Sequence, residues 1–332
     1  AAQIYGEDSA PLYPDRLAAV DGRWLAASSV EDGFVMFDDD GSNAGPMLTY
    51  GAALHRIASQ GVEFSVAALD KKDDVVIQRF DASGDTIGHD KTIAQGPATA
   101  LAFASGETGM LVAWSREGFV ELRAVDLDGM PVAPSHSLLE EPMIDGVTLA
   151  ATSVSDGHAL TYAGAALDGW RVRFAFVDAD GTPNEPVDIV RTDEAVRIVD
   201  LVALGDEGFA LYLAGGAPDH RSFLVRLDAA GYPVGAALEL SGMHPGWDVA
   251  VSDSMLALVA PRADGAPAMR AFDHELAPLG SWICLAEQGD GSLSAAIDAD
   301  GDGFAVAFPA GATADVSPAV LLATLDHDGQ PL

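Results

Sequence analysis

One phrase recurs along the chain: an alternating apolar run that closes on aspartate, then two residues, then glycine or its substitute, often followed by proline. The copies are FVMFDDDG, VVIQRFDASG, VELRAVDLDG, VRFAFVDADG, FLVRLDAAG, AMRAFDHELAP and VLLATLDHDG. Their lead aspartates, Asp38, Asp81, Asp126, Asp178, Asp228, Asp273 and Asp326, fall 43 to 53 residues apart. Within each unit the apolar residues alternate with period two, which is the signature of strands. A period of this length with that alternation predicts a four-stranded blade, and the chain as a whole an all-β, seven-bladed β-propeller. Six or eight blades are the alternatives. The fourth and seventh units carry longer loops, and the second has a poorly apolar inner strand.

The third unit shows the plan: ATALAFAS, a turn at Gly106–Gly109, MLVAWS, a turn at Arg116–Gly118, FVELRAVD, a turn at Leu127–Gly129, and a short PVAPSHSL. First strands are rich in small residues (LAAVD, ALAFAS, TLAATS, SAAIDA), as a crowded innermost strand requires. The seventh unit ends at Leu332 without a fourth strand, and AAQIYG at the start is a spare one. The N-terminal strand is therefore expected to complete the last blade, so that residues 1–332 form one closed domain without an open sheet edge.

Composition narrows the partners. Asp and Glu total 51 against 17 Lys and Arg, a net charge of −34. A nucleic-acid backbone or an anionic lipid surface would be repelled at long range, whereas cations and basic proteins would be attracted; the same excess also serves solubility. The 49% hydrophobic content supports a packed core. No apolar run reaches the length of a membrane-spanning helix, so no membrane insertion is expected. The first residues lack a basic n-region, consistent with removal of a leader from an exported protein. The one cysteine, Cys284, stands in the apolar run SWICL and is expected to be a buried thiol.

The phrases LVAWSREGFVELRAVDLDGMPV and GFAVAFPA…VLLATLDHDGQP resemble the repeats of bacterial exported propellers, in which a DGGFVVAW-like hairpin precedes a VRRFDADGNPVG-like turn. The resemblance implies the fold, and an extracellular, cell-surface or periplasmic binding module. It implies no chemistry, because these phrases encode blade geometry. The tryptophan–aspartate signature of intracellular propellers is absent.

Two places are candidates for a site. Asp298-Ala299-Asp300-Gly301-Asp302-Gly303 matches the start of a calcium loop and resembles the calcium hairpins of integrin-type propellers. Val306 and Pro309 stand where that loop needs later ligands, and a β-hairpin with an Asp-Gly turn is the competing reading. Calcium at Asp298, Asp300 and Asp302 is thus the one cofactor considered, and none is required. The second place is the mouth of the central channel, on the face that gathers the turns between second and third strands and the connections between units. Near the starts of inner strands stand Arg16, His55, Arg56, Thr99, Asp145, Arg197, His244, Trp247, Asp248 and Ser294. The arginines suit a carboxylate or sulfate, and Trp247 suits stacking on a ring. The same arginines would otherwise pair with Asp145 and Asp248 and plug the channel.

Linear signatures of enzymes are missing: no G-x-S-x-G, no H-E-x-x-H, no glycine-rich phosphate loop. The first reading is a non-catalytic binding or scaffold propeller that recognises a protein or glycan. A hydrolase or lyase built from His55, Asp145, His244 and Asp248 at the channel mouth is one alternative. A structural component of a surface assembly is another.

Overall fold

The computed structural model describes residues 2–3, 16–20, 23–28, 33–38, 48–49, 53–60, 62–139, 142–215, 221–240, 248–262, 266–285, 295–300, 303–310 and 319–326. The described residues are all-β apart from one 3-10 turn at Gly205–Glu207. They form seven four-stranded antiparallel sheets. In six of them the strands follow chain order. The first begins at Arg16–Val20, the second at Ala53–Gln60, the third at Ala100–Gly106, the fourth at Asp145–Val154, the fifth at Val196–Ala203 and the sixth at Asp248–Val251. The seventh runs from Ala296–Asp300 through Gly303–Ala310 and Ala319–Asp326 to the N-terminal Ala2–Gln3. There Ala2 pairs with Leu322 and Gln3 with Leu321. The second unit, whose inner strand looked weak in sequence, carries a complete sheet.

The first strands are neighbours in chain order, and Arg16–Val20 lies beside both Ala53–Gln60 and Ala296–Asp300. The packing explains the composition. Second strands such as Gly109–Arg116, Gly157–Ala166 and Leu256–Pro261 are buried almost end to end, so they read as continuous apolar runs, as strands covered on both faces do. Apolar clusters join consecutive sheets pair by pair: Phe64 and Met36 between first and second, Trp114 and Leu69 between second and third, Tyr162 and Leu122 between third and fourth. Phe174 with Leu211, Tyr212 with Leu258, and Val259 with Phe304 continue the series.

The recurring aspartate is a turn device. The Asp81 carboxylate accepts the N–H groups of Ser83 and Asp85, each at 2.9 Å. Asp126 takes those of Asp128 and Met130, and Asp228 those of Ala230 and Tyr232. The residue three beyond the aspartate is left-handed: Gly84, Gly129, Gly181 and Gly231, with Leu276 at φ 63° in the sixth unit. Proline two residues later returns to the third strand as an isolated bridge, for example Val125 with Pro131.

Cys284 departs from expectation: it is exposed. It sits on the two-residue outer strand Ile283–Cys284, where alternation turns Ile283 inward. The Arg262 guanidinium donates to its sulfur at 3.2 Å.

Candidate functional site

The first strands of all seven sheets line one cavity of about 310 Å³. Most of its wall is alanine, leucine, isoleucine and valine, so the small residues legible in the inner strands are those that leave this space open. Its charged groups are Arg56 from the second sheet, Asp200 from the fifth, Asp248 from the sixth and Asp298 from the seventh.

Two of the carboxylates are engaged between sheets. Asp248 is 3% exposed, and its Oδ2 accepts the N–H of Ile297 in the seventh sheet at 3.1 Å. Asp298 Oδ2 accepts the N–H of Ala19 in the first sheet at 2.8 Å. Thr148 does the same from the fourth sheet, its hydroxyl oxygen accepting the N–H of Ile198 at 2.9 Å. An inner strand packed side-on against the next has backbone donors that no ladder reaches, and leaving them unmet is costly. These side chains satisfy them and tie one sheet to the next.

The other sequence candidates separate. Arg56 lines the cavity, while Asp145 and Arg197 are exposed and lie outside its lining. Asp145 Oδ1 accepts the N–H of Gly146 at 2.7 Å. Thr99, just before the strand Ala100–Gly106, donates its hydroxyl to the carbonyl of Ser115 on the neighbouring strand. Arg16 and His55 are on inner strands, but their side chains lie outside the described ones, as do residues His244, Trp247 and Ser294. In the acidic hairpin Asp298 and Asp300 belong to a strand, and Asp300 pairs with Gly303 across the turn. The side chain of Asp300 and the whole of Asp302 lie outside the described residues. The described residues contain no cluster of three or more His, Cys, Asp or Glu able to hold a metal.

Sequence reading missed one polar pair at the cavity. Ser153, in the lining, shares a 2.8 Å hydrogen bond with His158 Nδ1. Burial pushes the imidazole from 6.5 down to about 4, so it is neutral at pH 7. The two residues face each other across the fourth sheet's first hairpin. His158 itself is 2% exposed, and this contact locks the hairpin.

The end of the fourth sheet that bears its second-to-third-strand turn has a different character. Leu167 at the hairpin tip is 90% exposed and Ile144 is 63% exposed. Ile144 donates its N–H to Ala165, which places the two apolar side chains at one end of the sheet. Trp170 lies against Gly146, where a Cβ would stand 2.4 Å from the ring; at φ +68° that position suits glycine on both counts. Asp168 pairs with Arg171 at 2.6 Å beside them.

No protein-family model matches the chain, and no curated protein sequence matches it. Solved structures do match. The chain is similar to hydrazine synthase of Kuenenia stuttgartiensis, with 11% identity, 92% of this chain and 96% of that chain covered, and a TM-score of 0.65. The fold is β-propeller-like. A puromycin hydrolase mutant (15% identity, 98% of this chain, 53% of that one, TM-score 0.57) and a prolyl endopeptidase (15%, 97%, 49%, 0.59) are also similar. The chain spans about half the length of those two. Enzymes therefore stand among proteins of like fold, and identity this low speaks for the fold alone.

Proposed function

We propose that this chain is a closed seven-bladed propeller acting as a non-catalytic, exported binding or scaffold module. It recognises a protein or glycan through the face bearing Leu167 and Ile144. Support for closure comes from the seven sheets, the neighbouring of the first and seventh inner strands, and the pairing of Ala2 and Gln3 with Leu322 and Leu321. One contrast carries the functional reading. The cavity carboxylates Asp248 and Asp298 are bonded to backbone of the adjoining sheet, whereas Leu167 and Ile144 stand exposed beside a fixed tryptophan and an Asp168–Arg171 pair. Exposed apolar side chains rimmed by charge mark an interaction surface.

The test is a glycan array and a protein pull-down from cell-surface extract, run beside a panel of chromogenic ester, peptide and glycoside substrates. The reading expects saturable binding that Leu167→Asp with Ile144→Asp lowers at least tenfold, and no turnover. Turnover abolished by Asp248→Asn in a protein of unchanged melting temperature would replace it with a hydrolase or lyase at the cavity.

A further inference from the structure

The turns between first and second strands and those between third and fourth share the other face, and there a second cavity opens between the fourth and fifth sheets. It measures about 570 Å³, within the range of small-ligand sites. Its aromatic surface is Phe176, over the buried rings of Phe174 and Phe209, and Tyr232, 57% exposed, stands at its rim. Asp156, Glu185 and Asp206 also line it, and no lysine, arginine or histidine does. None of these three exposed carboxylates makes an ion pair with a described residue.

Two other junctions carry an ion pair at the corresponding place. Two residues before the lead aspartate, the second unit has Arg79 and the fifth has Arg226. Each reaches the acid two residues past the next unit's lead aspartate: Arg79 to Asp128 at 2.7 Å and Arg226 to Glu275 at 2.6 Å. The third strand's arginine thereby latches one sheet to the next across the gap. At the junction of the fourth and fifth sheets the same two positions are Phe176 and Ala230. An aromatic ring replaces the cation and a methyl replaces the acid, so no latch forms. The gap keeps an aromatic wall and gains three unneutralised carboxylates from the surrounding turns.

We infer that this cleft binds a guanidinium or ammonium group carried on an apolar frame, presented as a basic side chain of a partner protein. A cation over aromatic faces is attracted by the ring quadrupole, and adjacent carboxylates add charge complementarity. A protein partner is favoured over a free amine because the chain's charge of −34 steers basic proteins toward it. The inference rests on the binding-module reading and gives it a second surface.

Calorimetric titration of the full chain tests it, with acetyl-leucyl-arginine amide, its neutral citrulline analogue and phenethylammonium as probes. The arginine peptide is expected to bind, with at least tenfold lower affinity for Asp156→Asn/Asp206→Asn and for Phe176→Ala, and the citrulline peptide to bind at least tenfold more weakly. Asp90→Asn/Glu107→Gln, an equal charge change on exposed residues outside the cleft, is expected to leave affinity unchanged. All variants should melt as the wild type does. Equal binding of the two peptides, equal losses in the two double variants, or no binding at millimolar peptide would overturn the site. Phenethylammonium binding as tightly as the peptide would overturn the protein source of the cation. Turnover in the substrate panel, by contrast, would overturn the module reading and leave the cleft result standing.

Discussion

Replacing Gly231 by alanine separates backbone conformation from packing at the junction of the fourth and fifth sheets. Gly231 has φ +86°, and a Cβ there would lie 2.1 Å from a ring carbon of Phe174, itself 1% exposed. The left-handed conformation costs an L-residue roughly 1–2 kcal/mol. Forcing a buried ring aside in a packed core costs roughly 1–3 kcal/mol more. The total is about 2–5 kcal/mol. With an unfolding entropy of about 2.1 cal/mol/K per residue, a chain of 332 residues loses about 1.4 °C of Tm per kcal/mol, so Gly231→Ala should lower Tm by about 3–7 °C. Gly235 is the control: its φ is +75°, and nothing lies within 4 Å of a Cβ there. Gly235→Ala carries the backbone cost alone and should lower Tm by about 1–3 °C. Scanning calorimetry of the two variants reads the difference. Equal shifts would refute the argument that the turn glycine is required by the Phe174 ring.

Between pH 6.5 and 4 the unfolded state binds a proton that buried His158 refuses, so stability falls as pH drops through that window, by up to about 3 kcal/mol. His158→Asn should flatten that slope in urea titrations at pH 7, 5.5 and 4; an unchanged slope would show that His158 is not the group responsible. Because Asp298 is bonded to Ala19, about 2 mM calcium followed by chelator should move Tm by less than about 1 °C, and a chelator-sensitive rise would restore the calcium loop. Exposed Cys284 beside the Arg262 guanidinium should react stoichiometrically with a thiol reagent in the native state. Labelling only after denaturation would show the thiol to be covered.

The fold was legible because it repeats. Period-two runs, turn aspartates and left-handed glycines each recur in the same order, and local signals that agree across levels specify a structure. Even Leu276, at the glycine position of the sixth unit, follows the rule from the other side: burying its side chain, worth about 1.5–3 kcal/mol, offsets a left-handed cost of similar size. The site was less legible because inner-strand carboxylates look alike in sequence whether they face a ligand or a neighbouring backbone. Nothing local distinguishes Asp248, bonded to Ile297, from a catalytic acid, since its partner lies 49 residues away. Cys284 misled for a related reason: SWICL reads as core, but a two-residue outer strand buries only one side of its pleat. The cleft did have a signal. Phe176 is the one aromatic at a position that is otherwise Met36, Arg79, Ala124, Arg226, Ala271 and Thr324, and a residue unlike all its counterparts in a repeat is the place to look for a role beyond folding.

That exception also bears on how the negative charge is used. Lead aspartates such as Asp81, Asp126 and Asp228 are held by turn N–H groups. Hydrogen bonding from Ser83 keeps the Asp81 carboxyl below its usual range. Such charges are tied to the geometry of their own turns, and moving any one of them would unmake a hairpin. The latch acids Asp128 and Glu275 are neutralised by arginine from the preceding sheet. Asp156, Glu185 and Asp206 do neither job: they accept no turn hydrogen bond among the described residues and meet no cation. A junction without an ion-pair latch lacks inter-sheet attraction worth up to about 1 kcal/mol at such exposed positions. Aromatic packing of Phe174 against Phe209, with centroids 5.1 Å apart, contributes a comparable amount and holds this junction from within. The carboxylates above it are thereby released from any part in folding, and a group free of folding duties is one that selection can use for a partner.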